Sequence, residues 1–210
     1  MYSNFVENIK EVVKCYVSEK RFSHTLGVEK EAYSLGLIFM PEKADKLQLT
    51  GVLHDITKDF KTEKQLELCK EYGINVDLDN LVPKLLHSKT GCEFAYRIFG
   101  EKVVDKEVYN GILYHTTGRE NMTLFEALIY LADYIEETRT FEDCIKLRKY
   151  FYDSIKEAYS YEEKIEALRK TMVLSFDLTI KNLIDEGKRI DKDTINARNY
   201  FVSCKNVFKN

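Results

Sequence analysis

Apolar residues recur three and four positions apart along most of the chain, the spacing that places them on one face of an α-helix. No alternating apolar and polar run is long enough to indicate a strand, and only two prolines and nine glycines interrupt the 210 residues. The pattern therefore predicts an all-α fold. The predicted helices span residues 5–18, 23–39, 41–55, 62–73, 81–86, 90–99, 105–115 and 123–135, two longer helices within 142–187, and a last helix from 193 or 194.

Residues that start or stop helices support these boundaries. Thr62 and Gln65 have the spacing of a capping box, in which a threonine hydroxyl accepts a hydrogen bond from the backbone three residues on. Thr123 is the expected N-cap of the most regular helix, and Asp193 or Thr194 is the expected N-cap of the last one. Glycines at which helices can end follow three of the segments, at Gly73, Gly100 and Gly118.

The length fits one domain with a helical appendage, which we expect at residues 1–190 and 191–210. A hydrophobic share of 44% is enough for a sizeable core. After about residue 140 the chain has no histidine and repeats the amphipathic pattern, so packing is the expected role of this part. Its apolar helices are also compatible with a homodimer interface.

The charge balance narrows the classes of partner. Charged residues make up 32% of the chain and the formal net charge is -3, without a basic run that would attract duplex nucleic acid. A small anionic substrate stays compatible with this balance, because a bound metal ion would supply its own positive charge.

The sequence pattern favours a cytoplasmic protein. Residues 1–8 lack the basic start and apolar centre of a signal peptide, and no uncharged stretch approaches the ~18 apolar residues of a membrane span. The five cysteines are scattered and form no C-x-x-C pair. This distribution favours reduced thiols that pack as small apolar groups over disulfides or metal ligands.

The strongest functional signal is a set of imidazoles and carboxylates. His54 and Asp55 are adjacent near a predicted helix end, where two consecutive side chains can converge on one ion. Asp133 lies in the apolar run 127–135, and burying its charge would be costly without a metal or a cationic partner. The alternatives are a surface His–Asp pair for the doublet, and a salt bridge or a solvent-facing position for Asp133.

Three further histidines join this set. His24 is predicted in the first turn of the second helix, and His87 and His115 fall at predicted helix ends, where side chains from several helices can meet in one cleft. Each histidine taken singly is more often structural than a metal ligand. Only their combination with Asp55 and Asp133 favours a metal site.

In this order the residues resemble the H…HD…D pattern of HD-domain metal-dependent phosphohydrolases, with His24, His54–Asp55 and Asp133 as its members. The resemblance covers roughly residues 5–185. Five short segments are similar to the YqeK-like branch of that family: residues 24–28, 51–58, 86–91, 114–118 and 130–136.

The resemblance implies an HD-domain helical bundle, with additional C-terminal helices, that hydrolyses diadenosine tetraphosphate symmetrically to two ADP at a di-iron site. Manganese or another divalent transition metal is the alternative to iron. By correspondence with the family motif, two ions would share the six residues, with Asp55 between them. The first ion corresponds to His24, His54, Asp55 and Asp133, and the second to Asp55, His87 and His115.

The donor set agrees with this chemistry without the resemblance. Four imidazoles and two carboxylates suit iron, manganese or zinc better than calcium or magnesium, which prefer oxygen. A structural zinc site would favour a closed, cysteine-rich set of four ligands, which the motif lacks. Two ions could deprotonate a bridging water and neutralise the phosphate that it attacks, so hydrolysis of a phosphoanhydride is the expected reaction class.

Residues near the motif are candidates for the reaction. We expect catalytic roles for Asp55, Lys58 and Asp59. Lys58 would contact a phosphate oxygen about one turn beyond the His–Asp doublet, and Asp59 would orient a ligand or the attacking water. Solvated surface side chains are the alternative for these last two residues.

The candidates for binding the polyphosphate carry positive charge or a hydroxyl, and arginine can hold phosphate through two nitrogens at once. They are Lys58, Lys89, Thr116, Arg119 and Arg139. Residues 136–141 lack the proline and glycine that the family pattern has around Arg139. The family pattern therefore supports the metal ligands more directly than the substrate contacts.

The sequence is also compatible with two other functions. The H…HD…D pattern also fits a nucleotidase or a (p)ppGpp-type hydrolase, because the pattern specifies a metal and not a base. A non-catalytic module that binds a nucleotide is the other alternative. Such modules often lack part of the ligand set, whereas this chain has all six residues.

Overall fold

The computed structural model describes residues 2–79 and 81–208, and this part of the chain contains α-helices, short 3-10 turns and loops but no strand. The predicted all-α class is therefore confirmed. Residues 1, 80, 209 and 210, which include the last two of the predicted appendage, lie outside the described residues. The helices are α1 (Tyr2–Lys14), α2 (Glu19–Phe39), α3 (Ala44–Leu53), α4 (Thr62–Tyr72), α5 (Leu86–Phe99), α6 (Lys106–Tyr114), α7 (Leu124–Ile135), α8 (Glu142–Glu157), α9 (Tyr161–Asp185) and α10 (Lys192–Ser203).

The second helix begins about one turn earlier than predicted, because Ser18 is its N-cap. The Ser18 hydroxyl accepts a hydrogen bond from the backbone N–H of Arg21 at 3.3 Å, and α2 starts at Glu19. The predicted start, Ser23, lies inside the helix. His24 is therefore in the second turn of α2 and not in the first. The carbonyl groups next to His24 are already engaged in helix hydrogen bonds.

The predicted capping box at Thr62 is wrong. Helix α4 does begin at Thr62, but Lys61 precedes it without a side-chain cap. The Gln65 amide donates instead to the carbonyl oxygen of Thr57 at 3.1 Å, and its own oxygen accepts from the Thr90 hydroxyl at 2.6 Å. The Gln65 side chain thus connects the loop before α4 to α5, so it is not available to cap the start of α4.

The segment around His87 forms one helix where two were predicted. Residues Pro83–Leu85 make a single 3-10 turn that leads directly into α5 at Leu86, so this helix begins before the predicted start at Thr90. Proline favours the first position of such a turn, because its φ angle is fixed and its missing N–H is not needed there. His87 consequently lies in the first turn of α5.

The last helix also starts earlier than predicted. The Asp191 carboxylate accepts a hydrogen bond from the backbone N–H of Asp193 at 2.8 Å, and α10 begins at Lys192. The two predicted caps, Asp193 and Thr194, lie in the first turn, where a side chain no longer acts as the cap.

Other predicted boundaries are confirmed. Thr123 caps α7 in a reciprocal capping box with Glu126. The three glycines predicted beyond helix ends all have a positive φ angle, which a residue without Cβ adopts at little cost. These glycines are Gly73 (φ 70°), Gly100 (φ 76°) and Gly118 (φ 63°).

Two groups of buried apolar side chains form the interior. The first joins α2 with α7–α10 and includes Phe125, Phe176 and Phe201. The second joins α1, α3, α5 and α6 around residues such as Val52 and Ile112. Phe201 of α10 stacks on Phe176 of α9 with ring centroids 6.0 Å apart. The C-terminal helix therefore contributes to the first core.

Small residues let α2 and α3 pack closely. A Cβ atom at Gly36 would lie 2.7 Å from the Cα atom of Ala44, and one at Gly51 would lie 3.0 Å from the Cα atom of Glu29. This contact brings the end of α3 against the side of α2 that carries His24.

The five cysteines are all free thiols, as predicted, and three of them are buried. Among the residues that the structure describes, no helix is both long enough and apolar enough to cross a membrane.

Candidate metal centre

The six histidines and carboxylates of the sequence motif converge in one cluster. His54 caps the end of α3 and Asp55 follows it, so their side chains meet with 3.4 Å between Nε2 and Oδ2. A doublet at a helix end was the predicted condition for such convergence. The other four residues come from α2 (His24), the first turn of α5 (His87), the end of α6 (His115) and α7 (Asp133).

The Asp55 carboxylate faces a different pair of imidazoles with each of its oxygens. Its Oδ1 atom lies 3.2 Å from Nε2 of His87 and 3.4 Å from Nε2 of His115. Its Oδ2 atom lies 3.4 Å from Nε2 of His54 and 3.8 Å from Nε2 of His24. Only 3% of Asp55 is exposed to solvent. One buried carboxylate therefore stands between two histidine pairs.

Asp133 completes the group around Oδ2 of Asp55. Its Oδ1 atom lies 2.9 Å from Nε2 of His24 and 3.8 Å from Nε2 of His54. Atoms of His24, His54 and Asp133 lie within 4.8 Å of one another, and so do atoms of His54, Asp55 and His115. These separations are short enough for one ion to contact several of the side chains at once.

Each of the four imidazoles is held through its Nδ1 atom. Because the acceptor is always an oxygen, the ring must carry a proton on Nδ1. In a neutral ring the Nε2 atom then has a free lone pair, and in all four cases Nε2 faces the cluster. The acceptors are the carbonyl oxygens of Gly51 for His54 (2.7 Å), Lys84 for His87 (2.7 Å) and Ile112 for His115 (2.6 Å), and the Glu136 carboxylate for His24 (3.0 Å).

Two atoms that face the cluster, Nε2 of His54 and Oδ1 of Asp55, are buried without a hydrogen-bond partner among the described residues. A buried polar atom without a partner costs about 1–3 kcal/mol. A divalent transition metal would satisfy these atoms, because imidazole nitrogens and carboxylate oxygens are its common ligands. The residues present therefore fit a bound metal ion.

Burial keeps two of the imidazoles neutral. It lowers the pKa of His54, and it lowers the pKa of His87 to about 4. A neutral imidazole is the form that binds a metal ion, so these two rings are ready for that role at neutral pH.

The carboxylates stay ionised in spite of their burial. Burial alone would raise the pKa of Asp55, but the charge of the neighbouring Lys58 ammonium helps to hold it well below its usual range. In the same way Arg139 outweighs burial and holds the pKa of Asp133 well below its usual range.

His24 differs from the other histidines in its protonation. Burial lowers its pKa, but the carboxylates of Asp133 and Glu136 outweigh that effect and raise the pKa to about 9. The ring is therefore protonated in the metal-free protein, and a bound metal ion would take the place of the proton on Nε2.

Asp133 lies among the candidate metal ligands and also forms the salt bridge that the sequence analysis gave as an alternative. Its Oδ1 atom faces His24 and His54, and the same oxygen accepts a hydrogen bond from Nη2 of Arg139. The salt bridge to a nearby arginine therefore exists, and it is part of the cluster and not a substitute for it.

Two more cations face the cluster. Lys58 Nζ lies 3.0 Å from Nε2 of His87 and 3.9 Å from Oδ1 of Asp55. Arg21 Nη1 donates to Oδ2 of Asp55 at 2.8 Å. The sequence pattern did not single out Arg21, although its place three residues before His24 puts both on one face of α2.

Thr116 lies inside the cluster and Asp59 lies at its edge. The Thr116 hydroxyl is 3.1 Å from Nε2 of His87 and 3.0 Å from Nε2 of His115. Asp59 accepts a hydrogen bond at 2.7 Å from the backbone N–H of the α2 N-cap, and its Oδ1 atom lies 3.8 Å from Nε of Arg21.

Arg119 and Lys89 have other surroundings. Arg119 donates to both carboxylate oxygens of Glu126, at 2.9 and 3.0 Å, and lies over the ring of Tyr114. Lys89 is exposed and lines a different cavity of about 560 Å³ together with Arg189. Among the described residues neither side chain makes a hydrogen bond or ion pair with the cluster, so the structure does not bring them to it.

A cleft of about 680 Å³ opens on the cluster, a volume within the range of small-molecule sites. Lys58, His115, Thr116, Asp133 and Arg139 contribute to its wall. The wall also includes Phe141, whose side chain is 71% exposed, and polar residues of α8 and α9.

Comparison with known proteins gives a consistent assignment. Residues 21–138 match the HD domain family, a range that contains the whole cluster. The chain is 31% identical over 196 residues to a Staphylococcus aureus protein named symmetrical bis(5'-nucleosyl)-tetraphosphatase, with 93% of this chain and 94% of the relative covered. A Bacillus subtilis protein of the same name is 30% identical over 191 residues, with 91% and 94% covered.

A solved structure extends the likeness to three dimensions. The crystal structure of a "predicted HD superfamily hydrolase involved in NAD metabolism" from Clostridium acetobutylicum has a TM-score of 0.80 and 36% sequence identity, and covers 94% of this chain and 96% of its own. The likeness thus includes the helices after the matched domain as well as the domain itself. The chain belongs to the HD-domain family, and within it to the group of the symmetrical bis(5'-nucleosyl)-tetraphosphatases.

Proposed function

We propose that this protein is a metal-dependent hydrolase that cleaves diadenosine tetraphosphate symmetrically into two ADP. The observation that carries the proposal is the Asp55 carboxylate, which faces one histidine pair with each oxygen. Such an arrangement suits two ions that act on one phosphoanhydride. Relatives of 30% and 31% identity that bear the name of this activity support the choice of substrate.

The residues that would hold the two ions follow from the two sides of Asp55. The first group is His24, His54, Asp55 Oδ2 and Asp133, and the second is His87, His115 and Asp55 Oδ1. We propose iron for both groups, with manganese or another divalent transition metal as the alternative. Bound there, the metal would supply a more acidic water and positive charge for the phosphates.

The chain's own cations would bind and orient the polyphosphate. Lys58 and Arg139 line the cleft beside the cluster, and each already contacts a negative or basic atom of it. We propose that they contact phosphate oxygens, Arg139 through two nitrogens. Thr116 lies close enough to the second histidine pair to donate a hydrogen bond to a phosphate or a water there.

We propose that Asp59 acts through Arg21 rather than on the substrate. Arg21 connects Asp59 with the central Asp55, at 3.8 and 2.8 Å respectively. Asp59 would thus hold Arg21, and Arg21 would hold the orientation of the Asp55 carboxylate. Lys89 and Arg119 stay proposed substrate residues for the outer parts of a long dinucleotide.

The protein's setting is also a proposal. We propose a cytoplasmic enzyme, because free thiols are typical of that reducing compartment. We propose a homodimer as well, since apolar residues of the C-terminal helices such as Ile145, Ile184 and Val202 are exposed.

The experiment is to incubate iron-loaded protein with diadenosine tetraphosphate under anaerobic conditions and to separate the products by chromatography. Two ADP per substrate are expected. AMP and ATP would instead show asymmetrical cleavage and contradict the proposal. Mononucleotides, (p)ppGpp and NAD should be tested beside the dinucleotide. Faster hydrolysis of any of these would favour another HD-type hydrolase, and nucleotide binding without turnover would favour a non-catalytic module.

A further inference from the structure

We infer that Glu136 positions the ring of His24 for metal binding, and that Gly27 is required because it makes room for the Glu136 carboxylate. The inference rests on the proposed metal centre and adds two residues to it. It explains how one of the four histidines is oriented, since His24 has no local backbone acceptor.

The other three histidines solve the same problem with the backbone. His54 and His115 cap the ends of α3 and α6, and each donates from Nδ1 to the carbonyl three residues earlier. His87 does the same next to a 3-10 turn. Carbonyl groups near helix ends have no partner within the helix, so they are free to accept from a side chain.

His24 lacks this option because it lies inside α2. The carbonyl oxygens around it already accept the hydrogen bonds of the helix. Its Nδ1 atom donates instead to Oε1 of Glu136 at 3.0 Å, from a residue 112 positions away in the sequence. Glu136 follows α7 directly, so one helix end provides both Asp133 for Nε2 and Glu136 for Nδ1 of the same ring.

Glu136 is itself fixed in this position. Its side chain is 0% exposed, its Oε2 atom accepts from the backbone N–H of Thr138 at 2.6 Å, and its Oε1 atom accepts from the Thr138 hydroxyl at 2.7 Å. A buried carboxylate with this many donors has one stable orientation. Such a carboxylate behind an imidazole fixes the ring and increases the basicity of the opposite nitrogen.

Gly27 leaves the space that the carboxylate occupies. A Cβ atom at Gly27 would lie 2.1 Å from Oε2 of Glu136 and 2.9 Å from its Cδ atom. Gly27 is three residues after His24, on the same side of α2. Any side chain there would displace Glu136 from His24 while leaving the six cluster residues unchanged.

The test is binding of Mn²⁺ to the metal-free protein, measured from the electron paramagnetic resonance signal of the free ion. Glu136→Ala should weaken one of the two binding steps roughly 10- to 100-fold. Glu136→Gln, which keeps an acceptor oxygen without the charge, should fall between wild type and Glu136→Ala. Gly27→Ala should weaken the same step as Glu136→Ala.

Two control variants separate positioning from general destabilisation. Glu126→Ala removes a buried glutamate from the first turn of α7, and Phe201→Ala removes a fully buried ring of α10. Both controls should lower thermal stability and leave Mn²⁺ binding within about twofold of wild type, since neither residue contacts a cluster histidine.

The outcomes are distinct for this inference and for the proposed function. If wild-type protein binds no Mn²⁺, Fe²⁺ or Zn²⁺, the metal centre itself is wrong. If wild type binds metal and Glu136→Ala and Gly27→Ala bind it equally well, the centre stands and the positioning role is overturned. If the two controls weaken binding as much as the two test variants, the effect is structural and the inference is also overturned.

Discussion

At the scale of single residues, Asp55 has the most to explain. This buried carboxylate lies within 3.8 Å of all four imidazoles, and its Oδ1 atom has no hydrogen-bond partner among the described residues. Burying four imidazoles around one carboxylate costs free energy, because each ring must be dehydrated and held in one orientation. A bound metal ion would offset this cost.

Asp55→Ala should therefore abolish hydrolysis and lower the metal content of both groups, because the change removes an oxygen from each. Elemental analysis of the purified variant and a product assay measure the two effects. Asp153→Ala, which removes a surface carboxylate paired with Lys149, is the control and should retain wild-type metal content and turnover. Near wild-type activity of Asp55→Ala would show that the ligand assignment is wrong.

His115→Ala should have a narrower effect. Nε2 of His115 lies 3.4 Å from Oδ1 of Asp55 and 3.1 Å from Nε2 of His87, so its loss should preferentially empty the second group and leave about one metal per chain. His24→Ala is the matched variant for the first group. Loss of both ions in His115→Ala, or of neither, would contradict the division into two groups.

At the scale of helices, the boundaries show which local signals are sufficient. Thr123 and Glu126 form the capping box that their spacing predicts, whereas Thr62 and Gln65 with the same spacing do not. The difference is tertiary. Gln65 finds buried partners in Thr57 and Thr90, so its side chain is not available to the backbone of α4.

Thr123→Ala should lower the free energy of unfolding by about 1 kcal/mol, because the N-cap hydrogen bond to the Glu126 N–H is lost. Urea denaturation followed by circular dichroism measures the change. Metal content should stay at the wild-type value, since Asp133 lies at the opposite end of α7. Ser160→Ala, which removes the equivalent capping box of α9, is the matched variant and should cost a similar amount.

A larger loss for Thr123→Ala than for Ser160→Ala by several kcal/mol would contradict this account. It would mean that the α7 cap holds more than its own first turn. Arg119 is the residue to inspect in that event, because it shares the carboxylate of Glu126.

At the scale of the whole molecule, the metal cluster lies where helices of the two cores meet. His24 and Asp133 come from helices of the first core, and His54, His87 and His115 come from helices of the second. Metal binding should therefore stabilise the entire fold rather than one helix, since it connects both groups of helices.

Metal-loaded protein should consequently melt at a higher temperature than protein treated with a chelator. At a free metal concentration of about 100 times Kd, each independent site adds about 2.7 kcal/mol to the free energy of unfolding. Differential scanning calorimetry measures the shift, and Asp55→Ala should show little of it. An equal melting temperature with and without metal in wild type would contradict a site that bridges the cores.

The C-terminal helix tests how the chain is divided. The boundary between residues 1–190 and 191–210 stays a prediction, but Phe201 and Ala197 of α10 are fully buried in the first core. Phe201→Ala should lower the free energy of unfolding by about 3–5 kcal/mol in a single transition. Ile195→Ala, at a position 40% exposed on the same helix, should change it by less than about 0.5 kcal/mol. Two separate transitions would instead show that the appendage folds on its own.

The sequence by itself determined the fold class and the identity of the six cluster residues. Apolar spacing of three and four is enough to specify helices, because the period of the side chains is a local property. The order of His24, His54–Asp55 and Asp133 indicated the chemistry, because few other roles require four imidazoles and two carboxylates in one chain. Both the apolar spacing and the order of these residues can be recognised without knowledge of tertiary contacts.

Only the tertiary structure decided which residues contact one another in the cluster and which candidates lie outside it. It showed that Asp55 faces two histidine pairs, that Arg21 and Glu136 form hydrogen bonds with cluster residues, and that Arg119 and Lys89 are occupied or exposed elsewhere. The physical reason is that hydrogen-bond partners and burial depend on which helices pack together. His24 and Glu136 are 112 positions apart in the sequence, so no local sequence pattern predicts their contact.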